Sequence, residues 1–155
     1  MRTSGVLMPI SSLPSNYGIG TMGKEAKRFI DFLVKGGQRY WQILPICPTS
    51  YGDSPYQSFS SFAGNPYYID LELLCEEKLL TEKECKAITW FEKEDEVDYE
   101  CLYKKRYTLL KKAYRRFEKA IPKEFYTFCE NESDWLEDYA LFMALKDANK
   151  GKSWF

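Results

Sequence analysis

Histidine is absent from this sequence of 155 residues. Its absence excludes Ser-His-Asp and Cys-His catalysis, His-ligated zinc and imidazole acid/base chemistry within the chain. An excess of either charge is lacking as well, with 22 Lys+Arg against 23 Asp+Glu and a net charge of -1. Without a positive field, neither nucleic acid nor an anionic membrane surface is an expected partner. Five cysteines are present, Cys47, Cys75, Cys85, Cys101 and Cys129, and no two form a C-x-x-C pair. Scattered thiols in odd number indicate neither a disulfide framework nor a zinc site, and they point to a reducing, cytoplasmic setting. Long apolar runs are missing too. The run after Met1-Arg2-Thr3-Ser4 covers only residues 5–10, too short for the hydrophobic region of a signal peptide or for a membrane span.

What remains is the composition of a folded globular chain, 45% hydrophobic and 29% charged, with aromatics raised to 17%. The length suits one domain or part of a larger one. Residues 5–10, Gly-Val-Leu-Met-Pro-Ile, and 40–46, Tyr-Trp-Gln-Ile-Leu-Pro-Ile, are unbroken apolar runs that predict strands buried on both faces of a parallel sheet. Between them Ala26, Phe29, Ile30 and Leu33 follow helical spacing over 24–35, and Gly36-Gly37 stands where a helix ends. This is a β-α-β unit. A right-handed crossover brings residues 11–23 and 47–70 to the same carboxyl edge of the sheet, where α/β proteins build their sites.

From residue 71 onward the pattern is helical. Thr81 and Glu84 form a capping box; Tyr99, Leu102, Tyr103, Tyr107, Leu110, Ala113, Tyr114 and Phe117 share one face over 98–120; Pro122 suits a first helical turn. A last helix is predicted with Ser133 or Asp134 as cap, a buried stripe of Leu136, Tyr139, Ala140, Met143 and Ala144, and Gly151 just past its end. The acidic stretch 92–100 and the basic run Lys104-Lys105-Arg106 read as solvated faces. Two strands cannot satisfy both edges of a sheet, so the chain reads as the opening part of something larger.

Two segments carry candidate chemistry. Gly18-Ile19-Gly20-Thr21-Met22-Gly23 spells G-x-G-x-x-G ahead of a helix, but Ser11 to Tyr17 separate it from the strand and no acidic residue closes the second strand. A small nucleotide-binding domain is therefore disfavoured against glycines that simply let a loop turn. Residues 49–70 interleave six aromatics with hydroxyls, an amide and carboxylates. Aromatic planes fit the C–H faces of sugar rings, and the polar groups fit their hydroxyls. A loop packed on its own rings is the other reading, with Phe59 and Phe62 its structural members. Tyr51 and Tyr56 are the expected ligand contacts, and Asp53, a lone acid, is expected to orient a hydroxyl.

Tyr40-Trp41-Gln42-Ile43-Leu44-Pro45, followed by the unbroken stretch from Pro48 to Pro66 with Tyr51-Gly52-Asp53-Ser54-Pro55-Tyr56 at its centre, closely resembles the amylomaltase family of 4-alpha-glucanotransferases. Ser12-Leu13-Pro14-Ser15 with Tyr17-Gly18-Ile19-Gly20, and Asp134-Trp135-Leu136-Glu137-Asp138-Tyr139, extend the resemblance across the chain.

The resemblance implies an α/β fold: the N-terminal part of a (β/α)8 TIM barrel, its first β-α-β unit in residues 1–70, then a largely helical inserted subdomain in 71–155. A complete barrel needs about 250 residues. It also implies transfer of 1,4-alpha-glucan segments by a retaining mechanism, without cofactor or metal, on maltooligosaccharides or longer 1,4-alpha-glucans. The family's catalytic acids lie on later strands, so no residue here is assigned a catalytic role. The positions that carry over are Tyr51, Asp53, Ser54 and Tyr56, which border the glucan cleft. On this reading the chain alone is inactive and needs the remainder of the barrel. A non-enzymatic glucan-binding remnant is the alternative.

Overall fold

The computed structural model describes residues 2–50, 52–91, 93 and 95–152. Strands β1 (Gly5–Leu7) and β2 (Tyr40–Gln42) pair in parallel, with Val6 opposite Trp41, and helix α1 (Lys24–Lys35) crosses between them. The ladder gains one bond at each end, from the Met8 amide to the Gln42 carbonyl and from the Arg39 amide to the Ser4 carbonyl. Both strands are shorter than the apolar runs predict. Pro9 has no amide to continue the ladder, and Ile10–Ser12 turns into a 3-10 helix instead. Nor are both faces buried: Val6 and Trp41 are half-buried, whereas Leu7 and Tyr40 are exposed. The covered side is packed by α1, where Phe29 meets Trp41 edge to face at 5.0 Å and the Trp41 indole donates to the Met8 carbonyl. No other strand among the described residues pairs with β1 or β2.

A 3-10 turn at Pro66–Tyr68 leads to α2 (Leu71–Glu76), α3 (Glu82–Lys86) and α4 (Tyr99–Cys101). The helix of α4 runs through a π-helical turn, Leu102–Arg106, into α5 (Tyr107–Phe117), and α6 (Lys123–Asn131) and α7 (Leu136–Ala148) follow. The capping box forms as the sequence predicts, the Thr81 hydroxyl accepting from the Glu84 amide and Glu84 from the Thr81 amide. The main core joins loop residues Tyr17, Ile19 and Tyr67 to Leu71, Leu80, Trp90, Leu102 and Leu109 of the helical part. A smaller cluster of Ile10, Leu13 and Ala26 lies under α1.

Four expectations for the helices need correction. The basic run is not wholly solvated. Lys104 and Lys105 are exposed, but Arg106 has no solvent exposure at all. The extra residue in the π-helical turn shifts the register, so Leu102, Arg106, Leu109 and Ala113 face inward while Tyr103 and Tyr114 point out. Neither Ser133 nor Asp134 caps α7. Trp135 occupies the cap, because the amides of Trp135 and Leu136 both donate to the Glu132 carbonyl and the indole donates to the Glu132 carboxylate. Finally, the α7 stripe is not buried: Leu136, Tyr139 and Met143 are half-covered, and Ala140 and Ala144 are open because no described element packs over them.

Candidate functional site

Residues 47–65 leave the end of the β2 run and return to their start, closed at the base where the Asn65 amide donates to the Ile46 carbonyl at 2.8 Å. Asn65 is buried, and its side chain accepts from the Tyr67 amide, which fixes the entry into the next turn. Within the loop, Thr49 and Ser58 form an antiparallel bridge, and the Ser50 amide donates to the Gln57 carbonyl. Two tight turns fill the tip. The Asp53 amide donates to the Ser50 carbonyl and the Gln57 amide to the Ser54 carbonyl, each at 3.1 Å.

Of the four residues expected at a glucan cleft, Tyr51 lies outside the described residues. The other three share this tip. Asp53 adopts a left-handed φ of 54° and is half-buried. Burial raises its carboxyl above the ordinary range, against a hydrogen bond from Thr49. The Ser54 hydroxyl accepts from the Tyr56 amide at 3.3 Å and still carries a proton to donate. Tyr56 presents its ring to solvent, 74% exposed.

The Tyr67 ring lies 6.4 Å from that of Tyr99 and 5.8 Å from that of Tyr107, and the charge of Asp53 acts on all three phenols. Burial raises each phenol, Tyr107 to about 12, and the Asp53 charge adds to the effect. Tyr99 and Tyr107 read in the sequence as ordinary helix packing, and Tyr67 as one of the six aromatics of the 49–70 stretch. The shared face of Tyr99 and Tyr107 follows from their spacing, whereas the packing of Tyr67 against both rings is a long-range contact that no local spacing signals.

Phe59 and Phe62 differ from each other. Phe59 packs on Phe142 of α7 at 5.7 Å, with the Lys146 ammonium 4.1 Å above its ring. Phe62 is 72% exposed and stacks on Trp135 at 5.9 Å, so it is a surface platform and not a core residue. The G-x-G-x-x-G segment is occupied by the protein itself. A Cβ at Gly20 would collide with the Ile10 carbonyl, and one at Gly23 would collide with the Asp70 carboxylate. Asp70 in turn accepts from the Thr21 hydroxyl at 2.5 Å and caps α2 through the Leu73 amide. Among the described residues no three His, Cys, Asp or Glu side chains are grouped to hold a metal, and no helix is long and apolar enough to cross a membrane.

The geometry defines an α/β protein that carries an aromatic and hydroxyl-rich loop at one strand end. The 4-alpha-glucanotransferase family, glycoside hydrolase family 77, matches residues 8–155, and the chain belongs to it. It is 50% identical over 147 residues to a 4-alpha-glucanotransferase of Clostridium butyricum, covering 95% of this chain and 30% of that protein. It is also 50% identical over 157 residues to a 4-alpha-glucanotransferase of Thermus thermophilus, covering 99% of this chain and 30% of the relative. Among solved structures, the amylomaltase from Streptococcus agalactiae in complex with acarbose is similar, with a TM-score of 0.93 and 44% identity over 99% of this chain and 31% of that one. The chain thus spans about 30% of the length of these relatives and corresponds to their N-terminal part.

Proposed function

We propose that this chain forms the opening of a (β/α)8 barrel and one wall of the glucan site of a 4-alpha-glucanotransferase. The observation that carries the proposal is the match over nearly the whole chain to an amylomaltase bound to acarbose, at 44% identity and a TM-score of 0.93. Residues 1–70 supply the first barrel unit, and 71–155 supply a helical subdomain that packs onto its loops. The reaction is transfer of a 1,4-alpha-glucan segment to the 4-hydroxyl of a second glucan or of glucose. Retention requires a nucleophilic carboxylate and a carboxylic acid/base, and this chain is assigned neither.

Its own residues position the chain of sugars. The Tyr56 ring offers a face for a pyranose, Asp53 accepts from a sugar hydroxyl, and Ser54 and Tyr51 complete the rim. Five free thiols fit a cytoplasmic protein. The relatives are transferases by name, which favours this reading over a non-enzymatic glucan-binding module. Incubation of a complete protein carrying this segment with maltotriose is expected to yield glucose and longer maltodextrins, while residues 1–155 alone yield neither. Release of glucose without longer products would replace transfer with hydrolysis and overturn the proposal.

A further inference from the structure

The Cys75 and Cys85 sulfurs lie 3.8 Å apart, on the successive helices α2 and α3. Neither is engaged in a disulfide. The two are unequal. Cys85 has no solvent exposure, whereas Cys75 is half-buried and lines a cleft of about 690 Å³ with Tyr17, Lys24, Lys78 and Lys86. Cys47 and Cys101 donate to backbone carbonyls of Ser61 and Thr89. The Cys75–Cys85 contact alone joins two thiols among the described residues.

We infer that Cys75 and Cys85 form a redox site that closes into an intrachain disulfide when a low-molecular-weight disulfide enters the adjoining cleft. The Cys75 thiolate attacks one sulfur of the oxidant, forming a mixed disulfide and releasing the other half as a thiol. The Cys85 thiolate then attacks the Cys75 sulfur and expels the second half. Two protons leave the protein thiols, two electrons pass to the oxidant, and the oxidant ends as two thiols.

The order of attack follows from access. Burial pushes the Cys85 thiol up to about 12, so it serves as the resolving partner and the cleft-lining Cys75 as the attacking one. A bond needs the sulfurs about 1.8 Å closer than they lie here. The product ties α2 to α3 across the turn that holds Lys78 at a φ of 61°. It also bears on Trp90, whose indole donates to the Cys85 carbonyl at 2.9 Å.

The test is to treat the reduced 155-residue chain with glutathione disulfide, denature it, alkylate it with iodoacetamide and map the peptides by mass spectrometry. The expected result is a linked pair of peptides bearing Cys75 and Cys85, with Cys47, Cys101 and Cys129 alkylated. Cys85→Ser should stop at a glutathione adduct on Cys75. Persistent adduct on Cys75 without linkage in the unsubstituted chain, equal pairing with the other cysteines, or alkylation of all five would each overturn the inference.

Discussion

Arg106 donates to the carbonyl of Ile69 at 2.6 Å from a position that solvent does not reach. A second guanidinium nitrogen donates to the Tyr17 carbonyl at 2.9 Å, and the Trp90 ring lies 6.0 Å away. One side chain from the helical part thus fastens both loops that leave the carboxyl ends of the strands. Burial lowers its pKa to about 10, so it remains charged at neutral pH, with the nearby Asp70 favouring the charge. Arg106→Ala leaves two buried carbonyls without donors as well as a cavity. The expected loss is about 3–5 kcal/mol in urea unfolding. A loss below about 1 kcal/mol would mean that other contacts hold the loops.

Glu84 closes its capping box and also accepts two bonds from Arg116, at 2.8 and 2.9 Å, with Lys112 at 3.3 Å. The Arg116 guanidinium, aided by Thr81, holds the carboxyl well below the usual range. A depressed carboxylate stabilises the fold fully above its unfolded pKa of about 4.3, and the contribution disappears as pH falls toward the folded value. Glu84→Gln should therefore lower the thermal midpoint at pH 7, and its deficit relative to the unsubstituted chain should shrink below about pH 4.3. A deficit independent of pH between 7 and 3 would count against the ion pair.

What the sequence discloses and what it hides divide by range. Thr81 with Glu84, and the α1 stripe with Gly36-Gly37, are local patterns; the capping box and the helix form as their spacing predicts, although Ile30 of the stripe is exposed. Arg106 is hidden because its acceptors are backbone carbonyls 89 and 37 residues away, and a carbonyl leaves no mark on composition. The meeting of Tyr67 with Tyr99 and Tyr107 is hidden for a related reason. The partners lie 32 and 40 residues apart, and a contact at that range leaves no mark on local spacing. The strands illustrate the reverse error, since an apolar run specifies burial and not ladder length, and Pro9 ends the ladder early.

Gly23 faces the Asp70 carboxylate so closely that a methyl group there would displace it. Displacement breaks the Thr21 bond and the cap on α2 together. Gly23→Ala is expected to cost about 2–4 kcal/mol, measured by urea unfolding. Gly64, where an added methyl group would meet nothing within 4 Å, is the control, and its alanine variant should unfold near the original midpoint. Equal losses at both positions would show that the close approach is not the cause.

Asp53 tests the polar half of the proposed wall. Asn tolerates a φ of 54°, so Asp53→Asn should keep the turn while removing the carboxylate. In a complete transferase carrying this segment, the expected outcome is an unchanged melting point with KM for maltotriose raised by about tenfold, the loss of one charge-assisted hydrogen bond of about 1.5 kcal/mol. An unchanged KM would remove Asp53 from substrate contact.

Tyr56 tests the apolar half, and its exposure makes the test clean. With 74% of its surface open, the ring contributes little to folding, so Tyr56→Ala should change stability by no more than about 0.5 kcal/mol. A sugar face stacked on that ring is worth about 0.5–1.5 kcal/mol, which corresponds to a fall in kcat/KM for maltooligosaccharides of up to about tenfold. Tyr56→Phe keeps the face and should restore most of the activity, whereas a contact made through the phenolic hydroxyl would leave Phe and Ala equally impaired. Transfer kinetics that match the original in all three proteins would take Tyr56 out of the site and leave the loop as a scaffold.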